Sequence, residues 1–185
     1  MSRVSPSGFT LTEVLITVCI IGIVAIVAIP LLSSTEPQRL AVAAEECANL
    51  LRFALSEAAR TGGYVLVDGK TTAGHLKLYH SDANAHVPPF TGTSAINDPL
   101  TKRETDLDVA GNSFSRNVAL TPQFKGGGNT YEQLLIGPGS SQFQAFDGES
   151  SNRGVLQAGS GILLSYGSRS VTVGINEVTG LVTLP

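Results

Sequence analysis

The chain has 185 residues, a formal net charge of −3 and 15% charged side chains against 42% hydrophobic ones, room for one modest domain and a short extra segment. Twelve Lys and Arg against 15 Asp and Glu, with no local basic patch, disfavour nucleic acid and anionic lipid as partners. Hydrophobicity is unevenly spread. Residues 14–32 carry no charge, whereas every glycine except Gly8 and Gly22 follows Arg60, so an apolar helix is expected ahead of a turn-rich domain.

The chain opens on a short polar leader, MSRVSPSG, that gives way abruptly to apolar sequence at Gly8-Phe9. At about 1.5 Å per helical residue, 14–32 just matches a hydrocarbon core of roughly 30 Å, which predicts a transmembrane helix. The run is longer than the apolar core of a secretory signal, and Ala28-Ile29-Pro30 is a poor cleavage site for one. A plain single-pass anchor fits the length and places Arg3 on the cytoplasmic side, but it leaves Glu13 and the Gly8-Phe9 junction unexplained. A carboxylate at such depth is expensive and usually has a partner. If the chain is cut after Gly8, Phe9 presents a new ammonium one helical turn from Glu13. That ammonium can pair with the same carboxylate or with one on a neighbouring chain. Pairing between chains sets the register of packed apolar helices, because an unpaired buried charge is strongly disfavoured. Pro30 removes a backbone donor and is expected to kink the helix near its end.

The segment from Gly8 through Phe9-Thr10-Leu11-Thr12-Glu13-Val14-Leu15, followed by an apolar run to Ile29-Pro30, resembles the class III signal of type IV pilins and type II secretion pseudopilins. The resemblance implies cleavage after Gly8 by a prepilin peptidase, N-methylation of Phe9, an assembly role for Glu13, and Pro30 as the kink of the anchor helix.

Ser33-Ser34-Thr35-Glu36-Pro37 reads as a local break and a fresh helix start. Beyond it the 3.6-residue period places Leu40, Ala43, Ala44, Cys47, Leu50, Leu51, Ala54, Leu55 and Ala58 on one apolar stripe. Glu45, Glu46, Arg52, Glu57 and Arg60 are expected on the other sides, and Gly62-Gly63 ends the helix. The reading is one interrupted helix from Phe9 to Thr61, near 80 Å long, apolar all round in its first half and on one face in its second. Cys19 and Cys47 then lie about 42 Å apart, too far for a disulfide, and serve as small apolar fillers.

After Gly63 the period switches to two. Strands are predicted over 64–68, 75–79, 116–120, 132–136, 142–146, 154–156, 162–166, 170–174 and 181–184, divided by glycine-rich turns. Residues 81–115 read as a long polar surface loop holding Pro88-Pro89 and Asp98-Pro99. The Ala-rich helix through Glu57-Ala58-Ala59-Arg60 into a first strand, with the closing strand–turn–strand of Val171–Pro185, is similar to the GspH/FimT branch of minor pilins.

Catalytic and cofactor chemistry is not expected. His75, His80 and His86 lack metal-ligand spacing, no G-x-S-x-G elbow occurs, and Gly126-Gly127-Gly128 lacks the lysine of a phosphate loop. Asp98, Glu104, Asp106 and Asp108 cluster without the register of a calcium loop, and Lys102-Arg103 interrupts them. DNA-capturing pilins of the similar branch carry arginines near the C-terminus, whereas here no base follows Arg169, so little counterion release is available.

The expected fold class is therefore α+β, the pilin fold: a long N-terminal helix, half transmembrane and half amphipathic, packed on an antiparallel β-sheet domain. The expected division is a leader at 1–8, a membrane or filament-core helix at 9–32, an amphipathic helix at 33–61, and a periplasmic globule at 62–185 with its variable loop at 81–115. The expected function is a non-enzymatic minor pilin or pseudopilin in a secretion pseudopilus or a type IV pilus. Its expected partners are the prepilin peptidase and N-methyltransferase, other pilins, an inner-membrane assembly platform, and the lipid bilayer before assembly. Its expected location is the inner membrane, single-pass, with the globule periplasmic. The alternative function is a pilus-displayed ligand-binding module, for adhesion or DNA uptake, built on the 81–115 loop.

Overall fold

The computed structural model describes residues 10–32, 35–81, 93–138, 143–147 and 153–184. The chain separates into two compact units that meet between Glu36 and Pro37. The first unit holds helix α1 (Leu11–Leu32). A second helix, α2 (Thr35–Thr61), runs into the second unit, with Pro37 in its first turn, where a missing N–H costs nothing.

Among the described residues twelve strands follow. They are β1 (Tyr64–Asp68), β2 (His75–Ser81), β3 (Ser94–Ala95), β4 (Asp106–Asp108), β5 (Ala119–Gly126) and β6 (Asn129–Tyr131). The rest are β7 (Gln133–Ile136), β8 (Phe143–Phe146), β9 (Arg153–Val155), β10 (Gly161–Tyr166), β11 (Arg169–Ile175) and β12 (Val182–Thr183). They form a seven-stranded sheet in the order β3-β2-β1-β7-β8-β9, with β4 also paired to β2, and a five-stranded sheet in the order β12-β11-β10-β5-β6. Every ladder is antiparallel.

The stripe on α2 organises the core. Leu40, Ala43, Ala44, Cys47, Leu50, Leu51, Ala54 and Ala58 are buried, and Ala48 joins them. They share one cluster with Val65, Val67, Leu134 and Ile136 of the larger sheet and Phe124, Ile162, Leu164 and Val173 of the smaller one. The small alanines let the backbone of α2 approach both sheets closely. At the far end Gly62 takes φ of 66° and its N–H returns to the Ala58 carbonyl at 3.0 Å, the glycine cap that the sequence leads one to expect. The opposite face of the larger sheet carries a second, smaller cluster of Leu66, Leu135 and Phe146. Because β1 and β7 are covered on both faces, they read as continuous apolar runs rather than alternating ones.

Three expectations are corrected. First, the interrupted helix expected over 9–61 is two separate shorter helices, and the expected antiparallel sheet is two sheets sharing α2. Second, among the described residues no helix is long and apolar enough to cross a membrane. This overturns the transmembrane half, the membrane assignments that followed from it and the single-pass inner-membrane localisation. Third, the 81–115 segment is not a loop throughout: β3 and β4 extend the larger sheet, the Asn97–Glu104 bridge closes a turn, and Ile96, Val109 and Ser115 are buried.

Candidate functional site

Of the four residues singled out in the sequence, Gly8 and Phe9 lie outside the described residues. Pro30 falls within the last turn of α1. Glu13 stands in the first turn of that helix.

Glu13 is engaged in a way that the sequence reading did not anticipate. The Thr10 backbone N–H and the Thr10 hydroxyl each donate to Glu13 Oε2 at 3.0 Å, and the Glu13 N–H donates to Thr10 Oγ1 at 3.3 Å. This is a reciprocal capping box, T-x-x-E, which satisfies backbone donors that the helix start leaves without partners. The two bonds from Thr10 hold the Glu13 carboxyl below its ordinary value of 4.5. The sequence signal for this cap is Thr10 three residues ahead of Glu13. Beyond the cap, α1 presents apolar side chains on every side: Leu11, Val14, Leu15, Ile16, Val18, Ile20, Ile21, Ile23 and Val24 are all at least half exposed.

Elsewhere the polar groups make local structural contacts. Glu57, expected on the solvent side of α2, is buried at 6% exposure. Arg60 donates to both of its oxygens, at 2.9 and 2.6 Å, and His80 Nε2 lies 3.6 Å away. These bonds hold the Glu57 carboxyl below its ordinary value. Position 57 falls on the stripe three residues after Ala54, so its period pointed inward and its charge pointed outward; Arg60 and His80 reconcile the two.

His75 bridges β2 to β4, with Nδ1 2.8 Å from Asp106 Oδ1 and Nε2 3.9 Å from Asp108 Oδ1. Lys77 Nζ reaches Asp106 Oδ2 at 3.4 Å. Asp98 spends its carboxylate on the N–H groups of Leu100 and Thr101, and Asp108 on that of Gly111. The acids of the 81–115 segment therefore close turns and clasp strands. His86 lies outside the described residues. Among the described residues, no group of three or more His, Cys, Asp or Glu is placed to hold a metal ion.

Clefts open on the second unit. One, of about 500 Å³, lies between the start of α2 and the β11–β12 edge and is lined by Leu40, Ala41, Ala44, Val171 and Leu184, with Glu45 and Arg169 also on its wall. Another, of about 470 Å³, is more polar and lies between α2 and the described part of the insertion. Comparison of the chain with protein-family profiles, with curated proteins and with solved structures finds no significant match.

Proposed function

We propose that the chain is a structural filament subunit of the minor pilin or pseudopilin kind, cut after Gly8 and methylated at Phe9, with no enzymatic activity of its own. One observation carries the reading: a capped helix whose apolar side chains face outward all round. A helix apolar on every side needs to be buried, and the hydrophobic gain is collected only against other apolar surfaces. Like helices from neighbouring subunits supply such a surface, and a central bundle of them is the core of a filament.

In this reading Glu13 has two tasks. Within one subunit it closes the capping box with Thr10. At the joint it receives the ammonium that cleavage creates at Phe9, which keeps the helix start neutral and in register. The acidic balance of the chain favours a structural role over capture of DNA.

Processing and assembly test the proposal separately. Replacement of Gly8 by a bulky residue is expected to leave a precursor eight residues longer on intact-mass analysis; normal processing would sink the idea. Glu13→Ala is expected to leave the second unit folded while reducing incorporation into filaments at least tenfold. Unaltered incorporation counts against the joint.

A further inference from the structure

We infer that Asp68 and Gln133 form a site for a hard metal cation on the face of the larger sheet opposite α2. The two residues are cross-strand partners on β1 and β7, the centre of the sheet, and are 2% and 0% exposed. Asp68 Oδ1 is saturated: it accepts from Gln133 Nε2 at 2.8 Å and from the N–H groups of Lys70 and Thr71 at 3.0 and 3.2 Å. Asp68 Oδ2 and Gln133 Oε1 are buried without a hydrogen-bond partner among the described residues. Buried polar groups are nearly always satisfied, so a pair of bare acceptors on two bonded groups calls for a partner.

The orientation of the amide is not free. Turning Gln133 over would set Oε1 against Asp68 Oδ1 and lose the 2.8 Å bond, so the nitrogen must face Asp68 and the oxygen must stay bare. A third buried acceptor without a partner, Gln144 Oε1, stands on β8 opposite Leu135, diagonal to Gln133 on the same face. All three bare atoms are oxygens. A carboxylate with neutral amide oxygens and no nitrogen or sulfur donor is the ligand set of a hard cation, calcium or an alkali ion, rather than of zinc or copper. Lys77, the other cross-strand partner of Asp68, directs its ammonium to Asp106 instead. Bound there, a cation would tie β1 to β7 and set the stability of the sheet.

The test uses the whole chain, freed of metal by chelation and melted in calcium, sodium or potassium chloride, with choline chloride at matched ionic strength as control. At about a hundredfold excess over the dissociation constant, at least one of the metal cations is expected to raise the melting midpoint by roughly 5–10 °C beyond the control. Titration calorimetry should give one site per chain. Which cation responds assigns the ion.

Asp68→Asn removes the carboxylate charge and puts an amide donor where Oδ2 stands, so it is expected to abolish the shift. Gln144→Leu removes one of the three bare oxygens, leaves the Asp68–Gln133 bond in place and is expected to weaken binding of the responding cation about tenfold. No cation effect beyond choline overturns the site and leaves the bare oxygens to water. So does an Asp68→Asn chain that keeps the full shift. If Asp68→Asn fails to fold, an unchanged cation affinity in Gln144→Leu overturns it equally.

Discussion

Glu57 shows how a single charge can be read correctly by period and wrongly by type. It lies on the buried stripe, and its carboxylate is tolerated there because Arg60, mostly in solvent, reaches back with two bonds while His80 approaches from β2. Removing the carboxylate in Glu57→Ala leaves a gap at the end of α2 and strips His80 of its neighbour, an expected loss of about 1–3 kcal/mol in urea unfolding at neutral pH. The pH dependence has a definite sign. The folded-state carboxyl is held below its ordinary value of 4.5, so its contribution is present above that value and is lost as pH falls through the lowered folded one. The stability difference between wild type and Glu57→Ala should therefore narrow in acid to the part left by lost packing; an undiminished difference at pH 2 contradicts the ion-pair account.

The two cysteines part company at the same scale. Cys19 is exposed on α1, whereas Cys47 is fully buried against both sheets and its thiol is pushed up to about 12 by burial, reinforced by Glu46. A thiol held protonated and out of solvent does not react. A thiol-specific chromogenic reagent is expected to titrate one cysteine in the native chain and two in denaturant. Rapid labelling of both in the native state would place Cys47 elsewhere.

Among the elements, one tight constraint lies where the two sheets meet. A Cβ on Gly154 of β9 would fall 2.6 Å from the Gly127 nitrogen and 2.7 Å from the Gly126 carbonyl carbon, backbone atoms that have nowhere to go. Gly126 and Leu156 form a bridge between the sheets just there. Gly154→Ala should therefore cost about 1–3 kcal/mol through overpacking, with an unchanged dependence on urea. A neutral effect would mean that the junction is loose.

These contacts also mark the limits of what the sequence makes legible. The stripe from Leu40 to Ala58 and the strands at 64–68, 133–136, 143–146, 161–166 and 169–175 follow from periods of 3.6 and two, because each element has one dominant neighbour. β3 and β4 escape because they are two and three residues long and owe their pairing to β2, not to any alternation of their own. β5 was placed too early. Its burial alternates from Leu120 through Phe124, but Pro122 interrupts the run; as the partner of Ile162 it needs no donor of its own. At the candidate site, the cap between Thr10 and Glu13 was written in T-x-x-E spacing and read for its charge alone. The Asp68–Gln133 pair could not be read at all, since register alone brings 68 opposite 133.

At the scale of the whole molecule, the second unit has one core with two sheets on it, and α2 is the member common to both. Leu51 is fully buried at the middle of that helix, in the cluster that contains Val67 and Leu134 of one sheet and Ile162 and Val173 of the other. Leu51→Ala removes side-chain atoms from this shared core and should cost about 2–5 kcal/mol, the range for a leucine whose surroundings collapse only in part. If the sheets were separate cooperative bodies, the loss would appear in one of them. Because a single helix face closes both, amide hydrogen exchange in β1 and β10 is expected to accelerate by the same factor, on the order of 30-fold for a loss of about 2 kcal/mol. Two different factors would show that the sheets open independently and that α2 belongs to one of them more than to the other. Equal factors would make α2 the element through which strain placed on the unit reaches both sheets at once.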